Sequence, residues 1–514
     1  MTGRFQNILR SLMVGLIGVG TICAANDEAH PLAGVRLSGS GEQHDQGHSL
    51  GLSEEVVPYQ EYAQDIPDRP LTVSEKIDEA VFPENVARRE LLDAREPDDT
   101  ITEVPERKSL FGSDRFLSPG PIDPGFKTPS GAMWRPSFLI YGSYRTALQS
   151  YEAAGGERFN EWANRFDLFG NLYLTSTERF LIGFRPLDEE RVFTGANNDG
   201  FQEAFNFEPT TFFFEGDFGE LFPNLDPHDR HSLDYQFSIG RQPIRLQDGI
   251  LADDTIDSIG ITRHNLFRMN ASATRLTAYA GFNELHRNDN RRDSSADFYA
   301  LSGNFDFPDM TIEVDAAYVS GSKRRGGDRA YFGLGHIAQL GYWHSTFRMN
   351  ASSALDYEST AVADGWLFTH QLSRPTKHSS DIITLSSFLE IDDYTSAARG
   401  PAMGGPLGGF TLLQRAVGIG IYGPPIDTER GDAFGFAFSY QHFLDADQYR
   451  QILLSIGGSA PLDDATGRDA TGALALQYQH ALSHDLIWSL GGFGSLTESG
   501  DKGFGIRTEL TQKF

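Results

Sequence analysis

The sequence predicts an all-β protein, a transmembrane antiparallel β-barrel of about 16–18 strands that follows a largely disordered amino-terminal extension. Three observations predict this fold class. Short segments in which apolar and polar residues alternate recur from about residue 133 onward. The chain has 54 glycines and 12% aromatic residues, and its 514 residues include one cysteine. Long apolar runs, which a bundle of transmembrane helices would need, do not occur.

Charge and missing motifs exclude other classes of function. The 43 basic residues are outnumbered by 71 acidic ones, which gives a net charge of -28, so nucleic acid is not an expected partner. The chain has no Gly-x-Ser-x-Gly nucleophile elbow, and one cysteine cannot form a cysteine-based zinc cluster or a Cys-x-x-Cys-His haem site. We therefore expect no catalytic residue, no metal site and no cofactor, and we predict that the protein is not an enzyme.

Residues 1–25 predict a secretory signal peptide. Arg4 and Arg10 precede an apolar stretch over residues 12–22 that is too short to span a bilayer, and Ala25 suits cleavage after it. An exported chain with a barrel-type sequence is expected in the outer membrane of a Gram-negative-type bacterium, with outer-membrane lipid as a partner.

Residues 26–132 form an acidic, proline-rich segment that differs from everything after it. Its composition does not predict a hydrophobic core, although residues 73–80 and 84–94 are compatible with short helices. Two interpretations stay open. The segment is a disordered periplasmic extension, or it is a plug or docking arm for a periplasmic export partner.

Residues 133–514 predict the barrel itself. In the segment 434–441, large apolar residues occupy even positions and small or polar ones odd positions, which indicates a strand with one lipid-facing side. The 514 − 132 = 382 residues, at roughly 20 to 24 residues per strand and link, favour 16 or 18 strands. A barrel of this width encloses an aqueous lumen unless a segment plugs it. Passage of a solute is therefore the expected function.

The last strand carries a candidate outer-membrane assembly signal. Phe504, Ile506, Leu510 and the terminal Phe514 share one face, and Arg507 lies with other polar residues on the opposite face. An amphipathic final strand with a terminal aromatic residue resembles the signal that the bacterial barrel assembly machinery reads. We therefore predict this machinery as a partner.

The hairpin over residues 164–186 supplies candidate pore-lining residues. Alternation places Arg165 and Asp167 on the lumen side of one strand, and Arg179 and Arg185 on the lumen side of the next. Inward guanidinium groups suit a pore for an anionic solute or polysaccharide, because they donate planar hydrogen bonds to carboxylates. The alternative is that these arginines pair with acids such as Asp167 and only stiffen the wall.

A repeated segment adds two candidates. Residues 264–272 and 344–352 have similar sequences, which predicts a repeated strand module. Within it, alternation turns Arg268 and Arg348 toward the lumen.

Three short motifs carry a resemblance to a known family. An arginine-rich hairpin ends in Phe-Arg-Pro at 184–186, Gly-Arg-Gln occupies 240–242, and Asp-Ser-Ile-Gly-Ile occupies 257–261. In these motifs the chain resembles the alginate-export-type outer-membrane porins, a group of bacterial β-barrel porins. The resemblance implies export of an acidic polysaccharide and adds Arg241 to the pore-lining candidates. Arg241 shares the parity of the apolar Ile239, so it reaches the lumen only if a bulge lies between them.

The sequence leaves the solute and the direction of transport open. The barrel region is acidic overall, so a cation-preferring general porin is one alternative, and a barrel that sheathes a partner protein is another. Counting strands back from residue 514 places the Gly- and Pro-rich loop 392–409 on the periplasmic side. A long periplasmic link is unusual, so this loop is a candidate gate or constriction. The competing interpretation is a miscounted strand.

Overall fold

The computed structural model describes residues 125–514 apart from residues 176, 190–191, 229–232, 268–269, 324–325, 357–361, 377–378, 400–418, 424–425, 427–430 and 463–467. The predicted signal peptide, most of the predicted extension and both of its short helices lie outside the described residues. Among the described residues, no helix is long and apolar enough to cross a membrane.

The described residues form strands β1–β24, one short α-helix and two 3-10 turns. In chain order the strands are β1 Phe126–Lys127, β2 Met133–Trp134, β3 Ser137–Glu152, β4 Phe159–Tyr173, β5 Arg179–Phe184, β6 Asp188–Glu189, β7 Val192–Asn197, β8 Gly200–Gln202, β9 Pro209–Asp217, β10 Tyr235–Leu246, β11 Ala252–His264, β12 Ala273–Phe282, β13 Asp297–Asp306, β14 Met310–Ser320, β15 Arg329–Leu340, β16 Trp343–Ala354, β17 Gly365–Pro375, β18 Ile382–Asp392, β19 Ala398–Arg399, β20 Ala433–Phe443, β21 Arg450–Pro461, β22 Thr471–Ala481, β23 Leu486–Thr497 and β24 Lys502–Lys513. The helix α1 is Phe218–Leu221, and the 3-10 turns are Pro223–Leu225 and Gln247–Gly249.

An antiparallel barrel of 18 strands confirms the predicted fold class and the larger of the two predicted strand numbers. The ring closes between β24 and β3, where ten residue pairs run from Phe504 opposite Glu152 to Lys513 opposite Ser143. Closure leaves no open sheet edge at this seam, which matters because lipid cannot hydrogen-bond to exposed backbone groups.

The two ends of the barrel differ in their connections. Short turns such as residues 307–309, 341–342 and 482–485 lie at one end, and the long connection 283–296 lies at the other, where β18 also ends and β20 begins. Short turns are typical of the periplasmic end of bacterial barrels, and long loops are typical of the extracellular end. We use these two names below.

Two of the 18 strand positions are built from two pieces each. The periplasmic part of β4 pairs with β5, and its extracellular part pairs with β7. Similarly, β8 pairs with β7 and β9 pairs with β5. The ladder between β9 and β10 ends at Arg241, so Pro243, which has no N–H to donate, lies where β10 pairs only with β11.

The outward faces of the strands form an apolar belt. Phe434, Phe436 and Phe438 of β20 are all exposed, whereas Ala437 between them is buried. This alternation is expected because lipid surrounds the outside of such a barrel. The closed barrel and its belt place the protein in the outer membrane of a Gram-negative-type bacterium, in contact with outer-membrane lipid.

The chain leaves β18 and enters β20 at the extracellular end, so the periplasmic placement of the link that begins at residue 392 was wrong and the miscounted strand was the correct interpretation. Residues 400–409 of this link lie outside the described residues. Because β18 pairs directly with β20, this part of the barrel contains one strand fewer than the count assumed. A long loop is ordinary at the extracellular end.

The prediction of a repeated strand module was also wrong. Residues 344–352 lie inside β16, but β11 ends at His264 and the chain then turns toward β12. Asn265 has a positive φ of 52°, and its N–H donates to Thr274 O at 2.7 Å, which closes the turn. Similar segments therefore adopt different structures, because strand formation depends on the available pairing partner as well as on local sequence.

Candidate lumen site

Five arginine side chains face the lumen on one side of the barrel. Strand geometry sets their direction. Tyr144 of β3 is exposed on the outside, so the next residue, Arg145, faces the lumen, and Arg165 of β4 lies directly opposite Arg145 on the same face. We call this group, with the carboxylates that it contacts, the arginine wall. Its arginines are Arg145, Arg165, Arg179, Arg185 and Arg507.

Asp167 joins the two arginines of the predicted hairpin. Its carboxylate accepts hydrogen bonds from Arg165 Nε at 2.8 Å and from Arg185 Nε at 2.9 Å, and its side chain is 10% exposed. Arg179 pairs with Glu215 of β9. The structure therefore places three of the four hairpin candidates in one network, and Arg179 forms a separate ion pair beside it. These contacts are the arginine–acid pairs that the alternative interpretation expects. However, Arg165 and Arg185 share the single carboxylate of Asp167, so one positive charge there is not neutralised by a carboxylate of its own.

Glu509 repeats this two-to-one arrangement across the barrel seam. It accepts a hydrogen bond from Arg145 Nε at 2.5 Å and also pairs with Arg507. Arg507 is 5% exposed, and its Nε and Nη1 make no hydrogen bond within the described residues. With Glu161, another carboxylate on this face, the described part of the chain sets five guanidinium groups against four carboxylates.

An inward turn at residues 247–251 narrows the lumen. Gln247 donates from Nε2 to Asp315 Oδ2 at 2.6 Å, and Arg348 Nη1 donates to Gln247 Oε1 at 3.3 Å. The turn fits against the wall because position 333 is glycine. A Cβ there would lie 2.5 Å from Gln247 Cγ and 2.9 Å from Leu251 Cδ1. Its chain direction requires positive φ angles of 51° and 56° at residues 247 and 248.

The loop after β18 contacts the inward turn at its first residues. Tyr394 OH donates to Ile250 O at 3.1 Å, and Ala397 N–H donates to Leu251 O at 2.8 Å. Ala398 then pairs in parallel with Ala252 at the start of β11. The residues on both sides of this contact are buried, so the loop packs closely against the inward turn here.

The same loop contacts the arginine wall near its end. Gln149 Nε2 donates to Ile419 O at 3.5 Å, and Ile421 N–H donates to Glu161 Oε2 at 2.9 Å. Tyr422 packs against Tyr151, with ring centroids 5.9 Å apart. Residues 394–398 therefore contact the inward turn, and residues 419–422 contact the arginine wall. We call these two described segments together the bridging loop.

A polar recess of about 400 Å³ lies on the other side of the lumen, beside the inward turn. Its lining comes from strands β10–β14, from β16 and from the inward turn, and it includes both Gln236 near the periplasmic end of β10 and Leu246 at the extracellular end of that strand. It is lined by Gln236, Arg245, Leu246, Gln247, Asp248, Thr262, Arg275, Thr277, Tyr279, Ser302, Asn304, Glu313, Asp315 and Arg348.

Arg348 lies in this recess, apart from the arginine wall. It is 5% exposed and pairs with Glu313 across Gly335, where a Cβ would lie 2.9 Å from both Arg348 Nη1 and Glu313 Oε2. A glycine is therefore needed for this pair to form. The sequence placed Arg348 on the lumen side, and the register of β15 and β16 agrees with that orientation.

Arg241 does not join either group. It has the parity of the exposed Ile239, and the pairing of β10 with β11 continues between them without a register shift. Its guanidinium binds Asp257 at 2.9 Å and Glu284 at 3.0 Å. With no bulge to reverse its direction, it has the orientation of the lipid-facing side chains. Arg268 lies outside the described residues.

Sequence reasoning missed Arg145, Arg275, Glu313 and Asp315. Arg145 follows the outward-facing Tyr144 in the same strand, so alternation alone turns Arg145 toward the lumen. The sequence pattern was therefore sufficient to find this residue. The other three become a group only through the register of β12, β13 and β14. Among the described residues, no three His, Cys, Asp or Glu side chains are arranged to hold a metal ion.

The proposed assembly-signal residues lie on the outer surface of β24. Phe504, Ile506, Leu510 and Phe514 are 40–47% exposed. The ring of Phe514 stacks on that of Phe166 at 5.8 Å, beside the seam that closes the barrel. Their recognition by the assembly machinery stays a prediction.

Comparisons with known proteins identify which solved structures have a similar fold. No family model matches the chain, and no curated protein sequence matches it. The structure of OccK2 (OpdF) from Pseudomonas aeruginosa superposes with a TM-score of 0.52 at 10% identity, covering 74% of this chain and 98% of that one. OccK8 (OprE) and the outer membrane protein OpdK of the same organism cover the same shares, with TM-scores of 0.49 and 0.47 at 12% and 11% identity. The chain has the fold of bacterial outer-membrane porins.

Proposed function

We propose that the barrel is an outer-membrane channel for small anionic solutes, with saccharide acids as the favoured class. The observation that carries this proposal is the arginine wall, in which Asp167 and Glu509 each serve two arginines. A guanidinium group that shares its carboxylate with a second one can exchange that protein carboxylate for a solute carboxylate as the solute passes. Such a row lowers the barrier for anions and raises it for cations.

The inward segments support a small solute over a polymer. Residues 247–251 and the bridging loop both enter the lumen and are held there by buried contacts. An alginate-like chain would need a wide and continuous passage, so polysaccharide export is the less supported variant. Segments of the chain itself occupy part of the lumen, so the alternative function, in which the barrel encloses a partner protein, is also less supported.

Permeation into proteoliposomes tests this proposal. Vesicles containing the refolded mature chain are placed in isosmotic sodium gluconate, in glucosamine hydrochloride, or in an oligouronate of about ten units, and the initial swelling rate is measured. We expect fast entry of gluconate, slower entry of glucosamine and no entry of the oligomer. Equal rates for gluconate and glucosamine would contradict the anionic preference. Rapid entry of the oligomer would restore polysaccharide export as the better account.

The variant for this assay is Arg165→Gln with Arg185→Gln, which removes both partners of Asp167. The matched control is Arg450→Gln, because Arg450 pairs with Asp445 at the periplasmic turn at 2.9 Å and has the outward parity of Leu454. The double variant should lose the preference for gluconate, and the control should keep it.

A further inference from the structure

We propose that the polar recess is a binding site for one hydroxylated carboxylate, such as a sugar acid, and that Arg275 binds its carboxylate. This inference deepens the proposed function, because it gives the anionic solute a specific stopping point away from the arginine wall. It rests on register, on unused hydrogen-bonding groups and on the size of the recess.

Register aligns the side chains of the recess in two rows. The first row runs from Arg275 to Asn304 to Glu313, each directly opposite the next on adjacent strands. Side chains directly opposite each other on neighbouring strands share one face and lie within contact range. This row therefore places a cation, an amide and a carboxylate side by side.

The second row lies two residues further toward the extracellular end on β12. It contains Thr262, Thr277, Ser302 and Asp315, again in direct register. The hydroxyls of Thr262 and Thr277 are 2.9 Å apart, and either can donate to the other. Hydroxyl, amide and carboxylate groups in one surface are what a polyhydroxylated ligand needs, because each ligand hydroxyl both donates and accepts.

Arg275 differs from the other arginines of the recess. Arg348 pairs with Glu313 and with Gln247, and Arg245 pairs with Asp248 at 2.9 Å. The Arg275 side chain is exposed to the lumen and makes no hydrogen bond or ion pair within the described residues. Its planar donors are therefore ready for an external carboxylate.

The size of the recess fits a monosaccharide acid. Its volume of about 400 Å³ is within the usual range for a small-molecule pocket. Adjacent strands are roughly 4.8 Å apart, so about 10 Å separates the backbones of Arg275 and Glu313, two strands away. The long arginine side chain shortens this gap. A single sugar ring can then contact Arg275 through its carboxylate and Glu313 or Asp315 through its hydroxyls.

Calorimetric titration of the detergent-solubilised mature barrel with sodium glucuronate tests the site. Arg275→Gln should weaken glucuronate binding by at least about tenfold, which is the usual effect of losing charged hydrogen bonds. The matched control is Arg263→Gln. Arg263 has the opposite parity to Thr262 of the recess and lies over the ring of Tyr235 at 4.9 Å, on the outer side. Its loss should leave binding unchanged.

Two further ligands separate the parts of the proposal. Acetate carries the charge without the hydroxyls, and glucose carries the hydroxyls without the charge, so both should bind at least about tenfold more weakly than glucuronate. Acetate binding as tight as that of glucuronate would overturn the role of the hydroxyl row. Equal glucuronate binding by the wild type and Arg275→Gln, or no binding by the wild type, would overturn the site.

This experiment can fail independently of the proposed function. Calorimetry reports binding even if the barrel does not conduct, and an intact site in a barrel without anion preference would leave the inference standing alone. Conversely, selective gluconate entry with no glucuronate binding would leave the channel and remove the recess as its binding site.

Discussion

The two sides of the lumen use arginine differently. On the arginine wall, Asp167 and Glu509 each bind two guanidinium groups, so positive charge is in excess and shared along neighbouring strands. In the recess, Arg348 and Arg245 are each paired with their own carboxylate, and Arg275 stands apart among hydroxyl and amide groups. One side provides an extended field for any anion, and the other provides directional contacts for a particular ligand shape.

The bridging loop connects these two sides. Its first residues contact the inward turn beside the recess through buried apolar and backbone contacts, and its last residues contact Gln149 and Glu161 of the arginine wall. We therefore expect the loop to limit how much of the lumen is open.

Removing one carboxylate from each side should have unequal costs. Glu509→Ala leaves Arg507, which is 5% exposed, without its carboxylate, so we expect a loss of about 3–5 kcal/mol in the free energy of unfolding. Glu313→Ala leaves Arg348 bonded to Gln247 Oε1, so we expect about 1 kcal/mol. Urea unfolding in lipid vesicles, followed by tryptophan fluorescence, measures both. Equal losses would remove the distinction between shared and one-to-one pairing.

Detaching the bridging loop should increase conductance. A Cβ at Gly365 would lie 2.3 Å from Tyr394 N, a backbone atom that cannot move without the loop, so Gly365→Val should displace residues 393–398. The control is Gly472→Val, because a Cβ at that strand glycine meets nothing within 4 Å. Single-channel recording should show a larger current for Gly365→Val alone. An unchanged current would mean that the loop does not limit the passage.

Weakening the other attachment should have a smaller effect. Glu161 Oε2 accepts both Ile421 N–H and Gln149 Nε2, and an uncharged glutamine at this position forms weaker hydrogen bonds. Glu161→Gln should therefore cost about 1 kcal/mol at this contact and increase the frequency of current steps. Glu157→Gln, in an exposed turn, is the control. Current traces that match the wild type would show that this attachment does not hold the loop.

The smallest expected effect is a pH dependence at the extracellular loop between β12 and β13. The hydrogen bond to Asp254 raises the pKa of His286 above 6.5, although burial lowers it and nearby Glu284 and Arg292 act in opposite directions. A raised pKa means that the stabilisation is fully present below about pH 6.5 and is lost as pH rises through the higher folded value.

Hydrogen exchange of the His286 amide measures this effect, because that N–H donates to Asp254 Oδ2 at 2.6 Å. After correction for the intrinsic rate, protection should fall as pH rises past neutrality, and His286→Gln should remove the change. Protection that is constant from pH 5 to 8 would contradict the coupling.

The sequence predicted the outer surface and the arginine hairpin because both depend on period-2 alternation. Phe434 and Phe436 point outward, as the pattern requires, and Arg165, Asp167 and Arg185 are grouped on the opposite face. The contacts of both arginines with Asp167 correspond to the pairing interpretation. The recess could not be predicted in this way, because Arg275 and Glu313 are brought together by the register of three strands.

Period-2 alternation did not predict the structure of two kinds of segment. The inward turn at residues 247–251 has no alternation, and its place depends on a glycine more than 80 residues later, Gly333. The similar segments 264–272 and 344–352 differ because Asn265 begins a turn. The pairing of Arg145 with Glu509 spans 364 residues and exists only because the barrel closes.

The most direct test of the account is the reversal potential across a planar bilayer that contains the refolded mature chain, under a potassium chloride gradient. We expect a preference for chloride that falls in the Arg165→Gln, Arg185→Gln double variant and persists in Arg450→Gln. A preference for potassium, or a chloride preference that the double variant leaves intact, would show that the arginine wall does not govern passage through the barrel.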